Sequence, residues 1–422
     1  MSVLISHSSV APFVQQAARA LHEAGQLERF VTTLRHNPAS PRQRLACQFA
    51  RIAGYDLATQ LARRRVGELP PDKVESLPWG ELLRLLVSRL DSSGRITDLV
   101  WSRTEPAFDR AVARRLDPHL HTGVYGFEYS SLATFQRARA LGLATIYDMP
   151  APEPRFVQTL LDAEISRFPE LNTAYHRHTA VREESRIARR RAEWNTADLV
   201  IVASRFTRES FVSAGLDVSK VRIVPYGAPP PVPLEEAQHG GSAPGDHLTF
   251  LWSGTFSIRK GAHYLLDAWR AGNFGRHARL KVFGAITLPD RLLYPLPEGI
   301  ELGGSIPRDQ LMAHYQSSDA LLFPTLCDGF GMVATEAWSR GLPVITTTSA
   351  GAADLLTPNK NGLLIRAAST EALAEVINWC LDHREELRSM RAAAHATAAA
   401  WQWADYRRAH AAALAPFIHT KK

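Results

Sequence analysis

Short apolar runs, each suited to a buried strand, alternate along most of this chain with stretches of helical periodicity, and no other feature restricts its fold so tightly. "SVLIS" (2–6) leads through a polar turn into "VAPFVQQAARALHEAG", whose apolar residues recur at helical spacing and stop at Gly25. The pattern returns as "TGVYGF", "SLATFQRARALG" and "LATIYDMP" (143–150), and again as "ADLVIVAS" (197–204), "RFTRESFVSAG" and "VRIVPYG" (221–227). Strands that run apolar throughout and are separated by helices predict a parallel sheet covered on both faces.

The alternation stops at "APPPVPLEEAQHGGSAPGDH" (228–247), which has the Pro, Gly and Ala content of a linker. It restarts at "LTFLWSG" (248–254) and continues through a helix at about 261–270, "LKVFGA", "IELGGS", "RDQLMAHYQSS", "ALLFPT", a helix at about 331–341, "LPVITTT" and "GLLI". The expectation is an α/β chain of two doubly wound, Rossmann-like domains, residues 1–227 and 248–400, facing each other across a cleft. The last segment, 401–422, is expected to be a helix lying back across the first domain. Ligands of such sheets bind at the carboxyl edges of the strands, and domain interfaces favour deep pockets.

Composition narrows the partners. The 49 Lys+Arg exceed the 42 Asp+Glu by 7, with arginines clustered in "RRRV" (63–66) and "RIARRRAEW" (186–194). Solvated helix faces are the plain reading of both clusters; an anionic membrane face or a phosphorylated substrate would suit them too. Aromatic residues are not interleaved with them, so nucleic acid is not expected as a partner. Cys47, Cys327 and Cys380 are widely spaced and form no CxxC, which indicates neither a disulfide framework nor a zinc site and fits a reducing, cytoplasmic compartment. The amino terminus lacks the basic opening and apolar core of a signal peptide. No run reaches the ~18 apolar residues of a membrane span, so any membrane contact is expected to be peripheral.

The chemistry concentrates in "LLFPTLCDGFGMVATEAWSRGLPVITT" (321–347). A buried strand runs into a loop at Cys327–Gly329 and a helix starts near Gly331, so the backbone N–H groups of Gly331, Met332 and Val333 are expected to point at an anion such as a diphosphate. Gly329 and Gly331 allow close backbone approach, and Phe330 is expected to wall the pocket. Asp328 on the loop and Glu336 inside the helix, eight residues on, can meet one ligand from two sides; carboxylates are good acceptors for paired sugar hydroxyls. The plain readings are a helix cap for Asp328 and an exposed helix position for Glu336. In "SGTFSIRKGAHYLLDAW" (253–269) a strand ends at Gly254 and a loop carries Thr255, Arg259 and Lys260, two cations placed to neutralise a departing phosphate.

With these residues in view the chain resembles the retaining glycosyltransferase family 4, enzymes of the GT-B fold. "DGFGMVATEAWSRGLPVI" resembles that family's Glu, seven residues, Glu signature and its Gly-Leu-Pro strand entry. "RKGAHYLLDAW" resembles its phosphate loop, and "ADLVIVASRFTRESF" with "VRIVPYG" resembles the end of its first domain. The likeness is strong from about 197 to 365. It implies that Glu336 meets the nucleotide ribose, Asp328 the donor sugar and Lys260 the diphosphate, and that Ser305 and Ile306 in "GGSIP" hold the base. It also implies a donor held without a metal, and the sequence has no Asp-x-Asp pair; no cofactor is expected beyond the nucleotide-sugar substrate.

Three positions depart from the family pattern. Asp328 stands for the usual Glu, Thr255 for a phosphate-binding Arg that Arg259 can partly replace, and "HSSVAPF" for a glycine-rich first loop, where Ser8 and Ser9 are candidates to approach either substrate. Glu128 in "GFEYSS" and Asp148 in "YDMP" end successive strands and are expected to face the cleft, orienting the acceptor or stabilising charge on the sugar. The expected function is retaining transfer from a nucleoside-diphosphate sugar to a saccharide or lipid-linked saccharide, in bacterial cell-surface polysaccharide or glycolipid assembly, with the basic helices resting on the inner membrane face. Two alternatives stand beside it: a catalytically silent relative acting as partner or scaffold, and a nicotinamide oxidoreductase, which the missing GxGxxG after the first strand argues against.

Overall fold

The computed structural model describes residues 2–417 apart from 38–39, 53–56, 63 and 244–245. Seven strands form the first sheet: β1 Val3–Ser6, β2 Leu27–Thr32, β3 Val74–Ser76, β4 Gly123–Phe127, β5 Ala144–Met149, β6 Leu199–Val202 and β7 Val221–Ile223, in the order β3-β2-β1-β4-β5-β6-β7. Six form the second: β8 Leu248–Ser253, β9 Ala278–Phe283, β10 Ile300–Gly304, β11 Ala320–Phe323, β12 Val344–Thr347 and β13 Gly362–Ile365, in the order β10-β9-β8-β11-β12-β13. Every pairing is parallel. Central strands such as β6 (LVIV) and β11 (ALLF) are buried at every position because helices cover both faces. The edge strand β10 instead alternates exposed positions with buried or half-buried ones. Strand order reverses between β1 and β4 and between β8 and β11, so each sheet opens a crevice at its switch point.

Two chain crossings join the domains side by side. Ala228 N–H donates to Trp401 O at 2.9 Å, Trp403 N–H donates to Ala228 O at 3.3 Å, and Trp401 Nε1 donates to Pro225 O at 3.0 Å. Gly227 has room for no side chain there, since a Cβ would meet Trp403 N at 2.4 Å. After the return crossing the helix Trp403–Leu414 packs on the helix Pro12–Glu23, with Arg407 donating to Glu23 and Gln16 at 2.7 Å each, and Tyr406 and Leu414 complete the first domain's core.

Two features differ from the sequence reading. The segment 228–247 contains the helix Leu234–Gln238, tied to the second domain where buried Arg391 donates to Ala237 O at 2.7 Å. In the run at 186–194 only Arg191 keeps a solvated position among the arginines: Arg186 pairs with Asp98 at 2.6 Å, Arg190 with Glu128 at 2.6 Å and Arg189 with Asp109 at 2.5 Å. Those cations turn inward along the helix Ala174–Thr196 because buried carboxylates require partners. In the other basic cluster Arg64 pairs with Glu81 at 2.6 Å, and Arg63 lies outside the described residues. Among the described residues no helix is long and apolar enough to cross a membrane.

Candidate active site

The loops after β8 and β11 meet at the switch point of the second sheet. Gly254 directly follows β8 with a positive φ of 99° and open space where a Cβ would stand, so backbone is exposed at this edge, with half-buried Thr255 beside it. The chain then makes a 3-10 turn, Ile258–Lys260, and enters the helix Ala262–Ala271 through Gly261. Gly261 sits against the end of β11, where a Cβ would come within 2.2 Å of Pro324 O. Arg259 Nη1 donates to Cys327 O at 2.8 Å, and Lys260 Nζ lies 2.7 Å from Asp328 Oδ2 and 4.7 Å from the centre of the Phe323 ring. Burial works to raise the Asp328 pKa, but the Lys260 and Arg259 charges outweigh it and hold the carboxyl below its ordinary value.

The loop carrying Asp328 is held from both sides. Asp328 N–H donates to Ser349 O and Gly351 N–H to Asp328 O, fixing it within its own domain. From the first domain, Ser204 Oγ and Thr207 Oγ1 donate to Gly329 O at 2.7 and 3.0 Å. Gly329 approaches Pro150 so closely that a Cβ would lie 2.0 Å from its carbonyl oxygen. Phe330 does not wall a donor pocket. Only 1% exposed, it packs edge-on to Tyr226 with ring centres 5.3 Å apart, within the first domain's core, so it anchors the loop across the interface. Gly331 takes a positive φ of 86° beneath the Phe323 ring and starts the short helix Met332–Trp338. Among the described residues the N–H groups of Gly331, Met332 and Val333 have no hydrogen-bond acceptor.

Glu336, on that helix, accepts from Tyr315 Oη at 3.2 Å and pairs with Arg308 at 2.8 Å. Ser305 is exposed at the end of β10, and Ile306 packs on the cluster around Tyr315 and Trp338. The same short segment thus delivers Ser305, Ile306 and Arg308 to one place. Arg308 was findable, since it directly follows "GGSIP".

On the first domain Glu128 and Asp148 part company. Glu128 pairs with Arg190 and lines a cavity of 380 Å³ together with His176, Glu183, Pro152 and, from the second domain, Arg259. Asp148 does not face the cleft: it is 1% exposed and accepts from Tyr125 Oη at 2.6 Å. Burial pushes its pKa up to about 7. Ser8 and Ser9 line a second cavity, of 500 Å³, with Arg84, Trp101 and Glu105. His7, which the sequence reading passed over, follows β1; its Nδ1 accepts from Ser9 N–H at 2.8 Å and its ring stands edge-on to Phe127 at 4.8 Å. The signal for it was its place right after the first strand.

Residues 235–397 match the family model "Glycosyl transferases group 1". An uncharacterised 41.2 kDa protein in the cps region of Klebsiella pneumoniae is 23% identical over 186 residues, 43% of this chain and 51% of that protein. A GDP-mannose-dependent alpha-(1-6)-phosphatidylinositol monomannoside mannosyltransferase of Mycobacterium tuberculosis is 31% identical over 123 residues, 27% of this chain and 31% of that protein. The matches therefore span about half or less of these relatives. Among solved structures, Anabaena HepE in complex with UDP superposes with a TM-score of 0.58 at 15% identity, covering 98% of this chain and 99% of that one. Sucrose-phosphate synthase from Thermosynechococcus elongatus does so with a TM-score of 0.60 at 17% identity, covering 99% and 98%. The second domain is thus similar to the group 1 glycosyl transferases, and the chain as a whole has the GT-B fold.

Proposed function

We propose that the protein moves a sugar from a nucleoside-diphosphate donor to an acceptor hydroxyl, with retention at the anomeric carbon and without a metal. The observation that carries this is the meeting of Arg259, Lys260 and Asp328 at the carboxyl ends of β8 and β11, inside the segment that matches the family model. Lys260, Arg259 and the N–H groups of Gly331–Val333 would hold the diphosphate. Glu336 would accept from the ribose hydroxyls once Arg308 swings aside, and Asp328 from a hydroxyl of the sugar. The bond from the anomeric carbon to the phosphate oxygen breaks, the acceptor oxygen bonds to that carbon on the same face, and the acceptor proton passes to the leaving phosphate. The cations offset the charge that develops there. Glu128, at the cavity between the domains, would orient the acceptor.

HepE is crystallised with UDP and with UDP-glucose, and the mycobacterial relative is named for GDP-mannose, so a nucleoside-diphosphate sugar is the natural donor class. A role in glycolipid assembly accords with the mycobacterial relative's name, that of a phosphatidylinositol monomannoside mannosyltransferase. Steady-state transfer by wild type, Lys260→Ala and Glu336→Ala, with and without EDTA, tests the reading; undiminished turnover in both variants would refute it. One observation favours the second reading, a silent scaffold: Asp328 already neutralises Lys260. Donor binding with no transfer to any acceptor would select that reading.

A further inference from the structure

Trp79, Leu83, Leu86 and Leu90 fall at i, i+4, i+7 and i+11 of the helix Trp79–Leu90, which lines them up on one face. In a core-packed helix that stripe is the buried one. Here it faces solvent, with Trp79 82%, Leu83 48%, Leu86 63% and Leu90 91% exposed. The helix packs by another side on the helix Arg95–Ala113 and so has no need of the stripe. Four large apolar side chains in one row exceed the scattered exposure normal on a soluble surface.

A neighbouring element repeats the arrangement. The helix Pro41–Ile52 exposes Leu45 (53%) and Phe49 (64%), one turn apart. Its only charged residues are Arg42, Arg44 and Arg51. The two helices follow β2 and β3, adjacent parallel strands, and so leave the same carboxyl edge of the sheet. Exposed Arg95 and Ile96 open the next helix, while the nearby Asp91 carboxylate is taken up by Ser93 Oγ and Thr97 N–H. Pairing two copies through this face would set arginines against arginines. An anionic bilayer accepts apolar side chains and arginines together.

We propose that the helices Trp79–Leu90 and Pro41–Ile52 form an in-plane docking face for an anionic phospholipid surface. This rests on the exposed stripe and its charges and not on the chemistry of the donor site. The helix Trp79–Leu90 also walls the 500 Å³ cavity through Arg84, so docking would set that cavity directly behind the lipid-facing side.

The test is flotation of the full chain with phosphatidylcholine vesicles, with and without phosphatidylglycerol. Binding to the phosphatidylglycerol vesicles, weakened by salt and lost in Leu86→Glu/Leu90→Glu with its melting temperature unchanged, is the expected result. Absence of binding, or binding unaltered in the double variant, overturns the proposal. So does a wild-type dimer that the double variant converts to monomer without any vesicle binding. If the double variant does not fold, quenching by brominated lipid decides the matter: it must be smaller in Trp79→Phe than in wild type, and equal quenching overturns the proposal.

Discussion

Lys260 Nζ stands 2.7 Å from Asp328 Oδ2, with both side chains largely shielded from solvent, and the pair ties the loop after β8 to the loop after β11. A diphosphate entering here must share Lys260 with a carboxylate already in place. Asp328→Asn keeps the shape and removes the charge. Diphosphate binding is expected to tighten by up to about tenfold, ~1.4 kcal/mol, while kcat falls because the amide oxygen accepts from the sugar hydroxyl more weakly than the carboxylate does. Calorimetry with UDP or GDP and steady-state kinetics separate the two effects. Because the Asp328 pKa is depressed on folding, its contribution to stability is present above the unfolded value of ~4 and is lost as pH falls below it. Wild type should lose more stability than Asp328→Asn on acidification below about pH 4.

Asp148 has the opposite sign. Its folded pKa of about 7 lies above the unfolded value of ~4, so between those values the folded state binds the extra proton and stability falls as pH rises. Asp148→Asn removes this term. Melting temperatures from pH 4 to 7.5 should drop less steeply for the variant than for wild type; identical slopes would mean that Asp148 is ionised in the folded state. Glu193, also pushed up to about 7 by burial, contributes the same sign in both proteins.

Gly329→Ala places a methyl group where Pro150 O already stands, 2.0 Å from the new carbon. Backbone must give way on one side, at a cost of about 1–3 kcal/mol, and the Ser204 and Thr207 hydrogen bonds to Gly329 O are expected to go with it. Small-angle scattering should register a larger radius of gyration and kinetics a lower kcat. An unchanged scattering profile would show that this contact does not hold the domains together.

Glu128→Gln takes from Arg190 the nearer of its two carboxylate partners, leaving Glu183 at 3.4 Å, at the cavity between the domains. The acceptor KM is expected to rise with UDP or GDP binding unchanged. Weakened nucleotide binding instead would move Glu128 to the donor side.

Most strands of the two sheets were legible because parallel, doubly covered strands read as continuous apolar runs; β4, β6, β8 and β11 all lie within runs quoted from the sequence, whereas β2 and β3 lie in none. The region from 41 to 113 was not, and its helix Trp79–Leu90 suggests why: with apolar residues on the solvent face as well as the packed one, no single stripe marks its inner side. Asp328, Lys260 and Glu336 could be singled out because each sits at a strand end or inside a short string. Phe330 and Asp148 could not be placed, since their neighbours are distant in sequence: Phe330 meets Tyr226, and Asp148 lies in a core that the helix Trp403–Leu414 completes.

The most direct test of the donor site is a thermal-shift titration of wild type and Glu336→Ala with UDP, GDP, ADP, CMP and dTDP, with and without magnesium. Binding to the folded state raises the melting temperature by mass action. A magnesium-independent rise with one nucleoside diphosphate in wild type, lost in Glu336→Ala, is the expected result. No rise with any nucleotide, or an equal rise in Glu336→Ala, would contradict the placement of the donor between Glu336 and Lys260.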